Sequence, residues 1–92
     1  MKYVIITRHA GLVAWLKNKG ITCKTIVSHA TEDKVCNEHI IGALPMHLAA
    51  LAASVTVVDM PLLRPEQRGK DLTPAEMDAA GATMRRYKVY PD

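Results

Sequence analysis

The run Tyr3-Val4-Ile5-Ile6 limits the fold more than any other feature of this chain. It is continuously apolar and mostly β-branched, with no alternation between an inner and an outer face. Such a strand is buried on both sides, so it belongs to a sheet with cover on both faces. Helical spacing follows. Residues 11–19 bring Leu12, Trp15, Leu16 and Lys19 onto related faces, and Gly20 supplies a C-terminal stop. Residues 23–27 read as a second strand, and Ile40, Ile41, Ala43 and Leu44 as a short third one. Pro45 stands where a helix takes a proline, opening an apolar helix over 46–53. Residues 55–58 form a fourth strand, and a loop holding Pro61, Pro65 and Gly69 spans 59–72. Thr73-Pro74-Ala75-Glu76 then reads as a capping box, whose helix continues through Met77, Ala80, Met84 and Tyr87. Residues 88–90 are expected as a last edge strand. This alternation predicts an α/β fold, Rossmann-like, with a mostly parallel sheet of four to five strands and about three helices. The link over 30–38 is the exception, since about a dozen residues between two strands leave little room for a crossover helix.

The length of 92 residues predicts a single domain over 1–92. Apolar residues make up 49% of the chain, which argues against disorder. With no phenylalanine and one tryptophan, the core rests on Val, Ile, Leu, Ala and Met. So few large side chains favour a homodimer. The net charge of +3 is too mild for a protein that coats duplex nucleic acid, and it suits a compact polyanionic ligand. Its placement is uneven. No Lys or Arg falls between Lys34 and Arg64, whereas Arg64, Arg68, Lys70, Arg85, Arg86 and Lys88 crowd the last third. Cys23 and Cys36 form no CxxC pair and no zinc pattern, as expected of reduced thiols. The apolar start is too short for a signal peptide, and no run approaches the roughly 20 residues that span a bilayer. A cytoplasmic location without membrane attachment is the expectation.

Ligands of open α/β sheets bind beyond the carboxyl ends of the strands. That rule selects Thr7, Arg8, His9 and Gly11 after the first strand, and Ser28 and His29 after the second. It selects Pro45 and His47 after the third, and Asp59, Arg64 and Arg68 after the fourth. Arg8-His9-Ala10-Gly11 joins a buried strand to a helix N-terminus, whose early N–H groups attract anions. Arg8 adds a planar donor fork that matches phosphate oxygens. His9 brings an imidazole able to carry protons. Gly11 would let the backbone approach a ligand. The competing reading is a solvated basic turn. Pro45-Met46-His47 repeats the geometry at the next helix, against the alternative of a histidine bonded to a backbone carbonyl. Ser28 and His29 are adjacent on a strand, so they point to opposite faces and cannot pair as nucleophile and base. Arg64 and Arg68 either close over an anion or are solvated. Arg85 and Arg86 offset a helix dipole. No GxGxxG motif, P-loop or metal-ligand set is present, so neither a cofactor nor a metal is expected.

Together these segments resemble a known family. Thr7-Arg8-His9-Ala10-Gly11 with Trp15-Leu16 looks like the opening motif of the CRISPR-associated family Csx-sixteen. Ile41-Gly42-Ala43-Leu44-Pro45 followed by His47-Leu48-Ala49-Ala50 resembles its central motif. Met60-Pro61, Arg68-Gly69, Leu72 and the stretch from Glu76-Met77 to Gly81-Ala82 resemble its C-terminal third. The resemblance implies a ring nuclease of type III CRISPR systems. Such an enzyme linearises cyclic oligoadenylate, chiefly cyclic tetra-adenylate, and so switches off antiviral effectors. A ribose 2′-hydroxyl attacks its own neighbouring phosphate without a metal and leaves a 2′,3′-cyclic phosphate. On that reading Arg8 grips the scissile phosphate and His9 positions it or moves a proton. His47, with the backbone after Pro45, makes a second contact, and Arg64 and Arg68 form a partial lid. Thr7, Gly11, Ser28, His29 and Gly42 complete the ligand contacts, and the ring lies across a two-fold dimer axis. His47 stands where the family carries asparagine, and either residue could hold a phosphate or ribose. Two alternatives remain: a module that sequesters the cyclic nucleotide without cleaving it, and a small subunit whose basic loop docks an acidic partner.

Overall fold

A computed structural model describes residues 2–92. One five-stranded sheet organises them, in the order β2-β1-β3-β4-β5. The strands are β1 (Lys2–Ile6), β2 (Thr22–Val27), β3 (His39–Ile41), β4 (Ser54–Asp59) and β5 (Thr83–Tyr87). The first four are parallel, and β5 runs antiparallel to β4. The helices are α1 (Ala10–Asn18), α2 (Glu32–Val35), α3 (Met46–Ala49) and α4 (Pro74–Ala79). The architecture is therefore α/β with a mostly parallel sheet, compatible with a Rossmann-like arrangement, and it has four helices where about three were expected.

Helices packed on both faces of the sheet bury β1 from two sides, while β2 and β3 pair with its edges. On one face Tyr3, Ile5 and Ile41 pack with Trp15 and Leu16 of α1, Met77 of α4, and Leu72. On the other, Val4, Ile40 and Val55 pack with Val35 of α2, Leu48 and Ala49 of α3, and Ala52. Burying a Val, Ile or Leu side chain this fully stabilises by about 1.5–3 kcal/mol. The small alanines of α3 and the turn after it let that layer lie close to the sheet. Trp15 is 2% exposed, and its Nε1–H donates to Asp78 Oδ1 at 2.8 Å, which ties α1 to α4. No helix among the described residues is long and apolar enough to cross a membrane.

Four expectations need correction. The 30–38 link does hold a helix, the single turn α2, and that turn returns the chain so that β3 runs parallel to β1. The third strand stops at Ile41, because Gly42 adopts a φ of +146° that leaves the extended ladder. Pro45 caps α3 from outside, and that helix ends at Ala49, not at 53. The largest departure is C-terminal. The capping box forms as expected, with Glu76 N–H donating to Thr73 Oγ1 at 3.2 Å and Thr73 N–H to Glu76 Oε1 at 3.0 Å. The helix then ends at Ala79, and the chain reverses at Gly81, whose φ of +78° suits glycine. Met84 and Tyr87, expected on its apolar face, lie instead in β5, which pairs with β4 from Val55↔Tyr87 to Asp59↔Thr83. The edge strand is thus Thr83–Tyr87, and residues 88–90 lie beyond it. Arg85 and Arg86 accordingly offset no helix dipole.

Candidate functional site

Because β1 to β4 are parallel, their carboxyl ends share one edge of the sheet, and a cleft of about 360 Å³ opens there. The end of β1 contributes Ile6, Thr7, Arg8 and His9. Ser28 comes from β2, Gly42 and Ala43 from β3, Val57 and Val58 from β4, and Leu12 from α1. No carboxylate lies among these residues, and Arg8 is the formal cation. The cleft is therefore positively polarised, with hydroxyls from two strand ends beside the guanidinium.

Local bonding sets each of these groups. Thr7 N–H donates to the Val27 carbonyl at 3.0 Å, extending the β1–β2 ladder, while Thr7 Oγ1 accepts from His9 N–H at 3.1 Å. That hydroxyl turns the chain out of the strand. An Arg8 –NH2 nitrogen lies 3.1 Å from His29 Nδ1 and 3.2 Å from Nε2. The contact holds the guanidinium against the imidazole at the end of β2. Gly42 admits no side chain, since a Cβ there would stand 2.5 Å from the Ile6 carbonyl oxygen. It closes β3 tightly onto β1 at the cleft floor.

Of the residues singled out from the sequence, Thr7, Arg8, His9, Ser28 and Gly42 come together at this cleft. His29 stands at its rim through the Arg8 contact. The others differ. The Gly11 N–H donates to Asp71 Oδ1 at 2.9 Å, and a Cβ on Gly11 would run into the Leu72 carbonyl oxygen. The glycine thus admits the chain's own 71–72 segment, and an internal carboxylate already takes one N–H at the α1 N-terminus. Pro45 and His47 start at the same sheet edge but do not line the cleft. His47 is exposed on a helix of four residues, which sums too few peptide dipoles for a strong anion site. Arg64 pairs with Glu66 at 3.3 Å and Arg68 is exposed; neither borders the cleft. Asp59 lines a different groove, against β5, together with Thr83 and Arg85. Sequence reasoning missed Asp71, which lies 60 positions from its partner, and nothing local marks such a contact. Among the described residues no group of three or more His, Cys, Asp or Glu side chains is placed to hold a metal ion.

Fold and site together define a class: a small α/β protein with a cationic, hydroxyl-lined cleft where its parallel strands end, the usual seat of phosphate-bearing ligands in such sheets. Residues 4–90 match the family described as "Putative CRISPR-associated protein (Cas_VVA1548)". The chain belongs to that family of CRISPR-associated proteins. No curated protein and no solved structure gives a significant match.

Proposed function

We propose that the protein binds cyclic oligoadenylate, chiefly cyclic tetra-adenylate, and linearises it, acting as a ring nuclease of type III CRISPR signalling. The supporting observation is the convergence of Thr7, Arg8, His9 and Ser28 from adjacent strand ends on one cleft that contains no carboxylate. Membership of a CRISPR-associated family supports the biological setting. The resemblance of the Thr7–Gly11 and Ile41–Pro45 motifs to Csx-sixteen supports the substrate.

The reaction asks for position and charge stabilisation more than for a strong nucleophile. The ribose 2′-oxygen bonds to the adjacent phosphorus, and the bond from phosphorus to the 5′-oxygen breaks. The 2′-hydroxyl proton leaves, and a proton joins the departing 5′-oxygen. Arg8 would hold the phosphate and stabilise the phosphorane, an electrostatic role that counts most when the donor is fixed beforehand. The contact with the His29 ring nitrogens would supply that fixing. His9 is the cleft imidazole able to carry the proton, a contribution of about 100- to 10,000-fold. The hydroxyls of Thr7 and Ser28 would hold non-bridging oxygens. His47 becomes a peripheral contact at most. A symmetric ring seated across a homodimer axis would meet each of these groups twice.

A second reading, sequestration without cleavage, is favoured by one feature. No hydrogen bond orients the His9 ring among the described residues, although His9 N–H is bonded. Incubation with radiolabelled cyclic tetra-adenylate in EDTA, followed by chromatography, separates the readings. Linear product with a 2′,3′-cyclic phosphate is the expected result. An intact ring that comigrates with the protein would establish sequestration, and an intact ring that stays free would refute both.

A further inference from the structure

Beside the cleft lies a second, smaller chamber of about 190 Å³, and His9, Leu12 and Val58 are common to both. Its walls are Leu12, Val58, Met60, Leu63, Leu72 and Met77. Gln67, Lys70 and Asp71 supply its polar groups. The 60–72 loop forms most of it; the Asp71–Gly11 bond holds the loop to α1, and Gln67, whose Oε1 accepts from Arg64 N–H at 3.1 Å, braces it internally. Polar side chains in a mainly apolar chamber are the usual way a small organic ligand is oriented. At about 30 Å³ per molecule the space equals roughly six waters, most of them facing hydrocarbon and easily displaced.

Resting on the ring-nuclease reading, we propose that this chamber is a nucleobase subsite that reads the edge of one adenine while its ribose phosphate lies in the adjoining cleft. Proteins that recognise single-stranded RNA stack an unpaired base on an aromatic or histidine side chain and bond its edge. His9, on the shared wall, is placed for stacking. Met60 and Met77 add polarisable sulfur contacts to an aromatic ring. The edge chemistry comes from two side chains that each spend one atom on the loop. Asp71 uses Oδ1 for Gly11 and retains Oδ2, an acceptor. Gln67 uses Oε1 for Arg64 and retains its –NH2, a donor. An acceptor and a donor lining one chamber can complement an adenine edge, where an exocyclic amine sits next to a bare ring nitrogen. On the Watson–Crick edge hypoxanthine reverses that pattern, with a carbonyl in place of the amine and a ring N–H in place of the bare nitrogen.

Isosteric variants test the assignment without removing the loop bonds. Asp71→Asn keeps an oxygen for Gly11 and exchanges the spare acceptor for a donor. The probes are ribose 5-phosphate, adenosine monophosphate and inosine monophosphate, titrated by calorimetry. The wild-type chain should bind adenosine monophosphate at least tenfold more tightly than the other two. Asp71→Asn should remove the preference for adenosine over inosine monophosphate or reverse it, with ribose 5-phosphate binding unchanged within twofold. Leu63→Trp, which fills the chamber, should reduce adenosine monophosphate binding to the level of ribose 5-phosphate. Equal wild-type affinity for all three probes would overturn the subsite, as would a Leu63→Trp chain that still favours the adenosine ligand. Failure of the cleft reading looks different, because Arg8→Ala would then leave ribose 5-phosphate binding unchanged.

Discussion

Arg8 and Gly11 lie three positions apart in one turn and answer to different demands. Arg8 is exposed, and no carboxylate pairs with it among the described residues. Its replacement should cost the fold little and the ligand much. We expect Arg8→Ala to weaken binding of cyclic tetra-adenylate by about 10- to 100-fold, the worth of one charge-assisted contact. The melting temperature should stay within a degree or two, and fluorescence anisotropy with a thermal melt measures both quantities. Gly11 is the reverse case. A Cβ there collides with the Leu72 carbonyl, so Gly11→Ala should destabilise by about 2–3 kcal/mol as the 71–72 segment is pushed off α1. A urea denaturation curve reads that loss directly. His9→Ala should abolish turnover and also weaken binding, since the ring both carries the proton and stacks on the base; turnover that survives would leave His9 with stacking alone.

Elements were legible wherever local chemistry and tertiary pairing agreed. The double-sided burial of Tyr3-Val4-Ile5-Ile6 and the Thr73–Glu76 cap were both readable because neighbouring residues settle them. The stretch after Ala79 was not. Met77, Ala80, Met84 and Tyr87 keep a helical period, yet Gly81 turns the chain and β4 offers an unpaired edge to Thr83–Tyr87. Pairing with a strand more than 20 residues away overrode a local repeat. The site divides in the same way. Groups at strand ends were found from topology, whereas Asp71 and the 60–72 chamber depend on a loop whose course no local pattern dictates. The α4 cap also carries a pH signature. Bonds from the backbone N–H and the hydroxyl of Thr73 hold the Glu76 carboxyl below its ordinary value of 4.5. A lowered folded-state value means stability that is present above pH 4.5 and lost as pH falls through the depressed value. The gap in melting temperature between the wild-type chain and Glu76→Gln should therefore be widest near neutrality and close below that point. Separately, Asp78→Ala should cost about 1 kcal/mol by stranding the Trp15 N–H between α1 and α4.

At the scale of the whole molecule, no Lys or Arg of the last third lines the cleft, although Lys70 borders the chamber beside it. Arg86 donates to Tyr3 Oη at 3.2 Å, Arg64 pairs with Glu66, and Lys88 donates to the Ala52 carbonyl at 2.8 Å. Affinity for a polyphosphate ring should thus depend on salt only weakly. With about −0.7 in log–log slope for each phosphate neutralised on a single strand, one Arg8 per chain gives about −1.4 for a ring shared by two chains. A titration series from low to moderate salt tests this, and a slope several times steeper would bring in the distant arginines. The strand order has a consequence of its own. β1 leaves the ribosome before either strand that flanks it, and its two edges are closed only by Thr22–Val27 and His39–Ile41. Until that much of the polypeptide has been translated, a strand with four consecutive apolar residues stands with open edges. The nascent chain should therefore pass through an interval in which holdase chaperones bind it and crowded expression drives it into inclusion bodies.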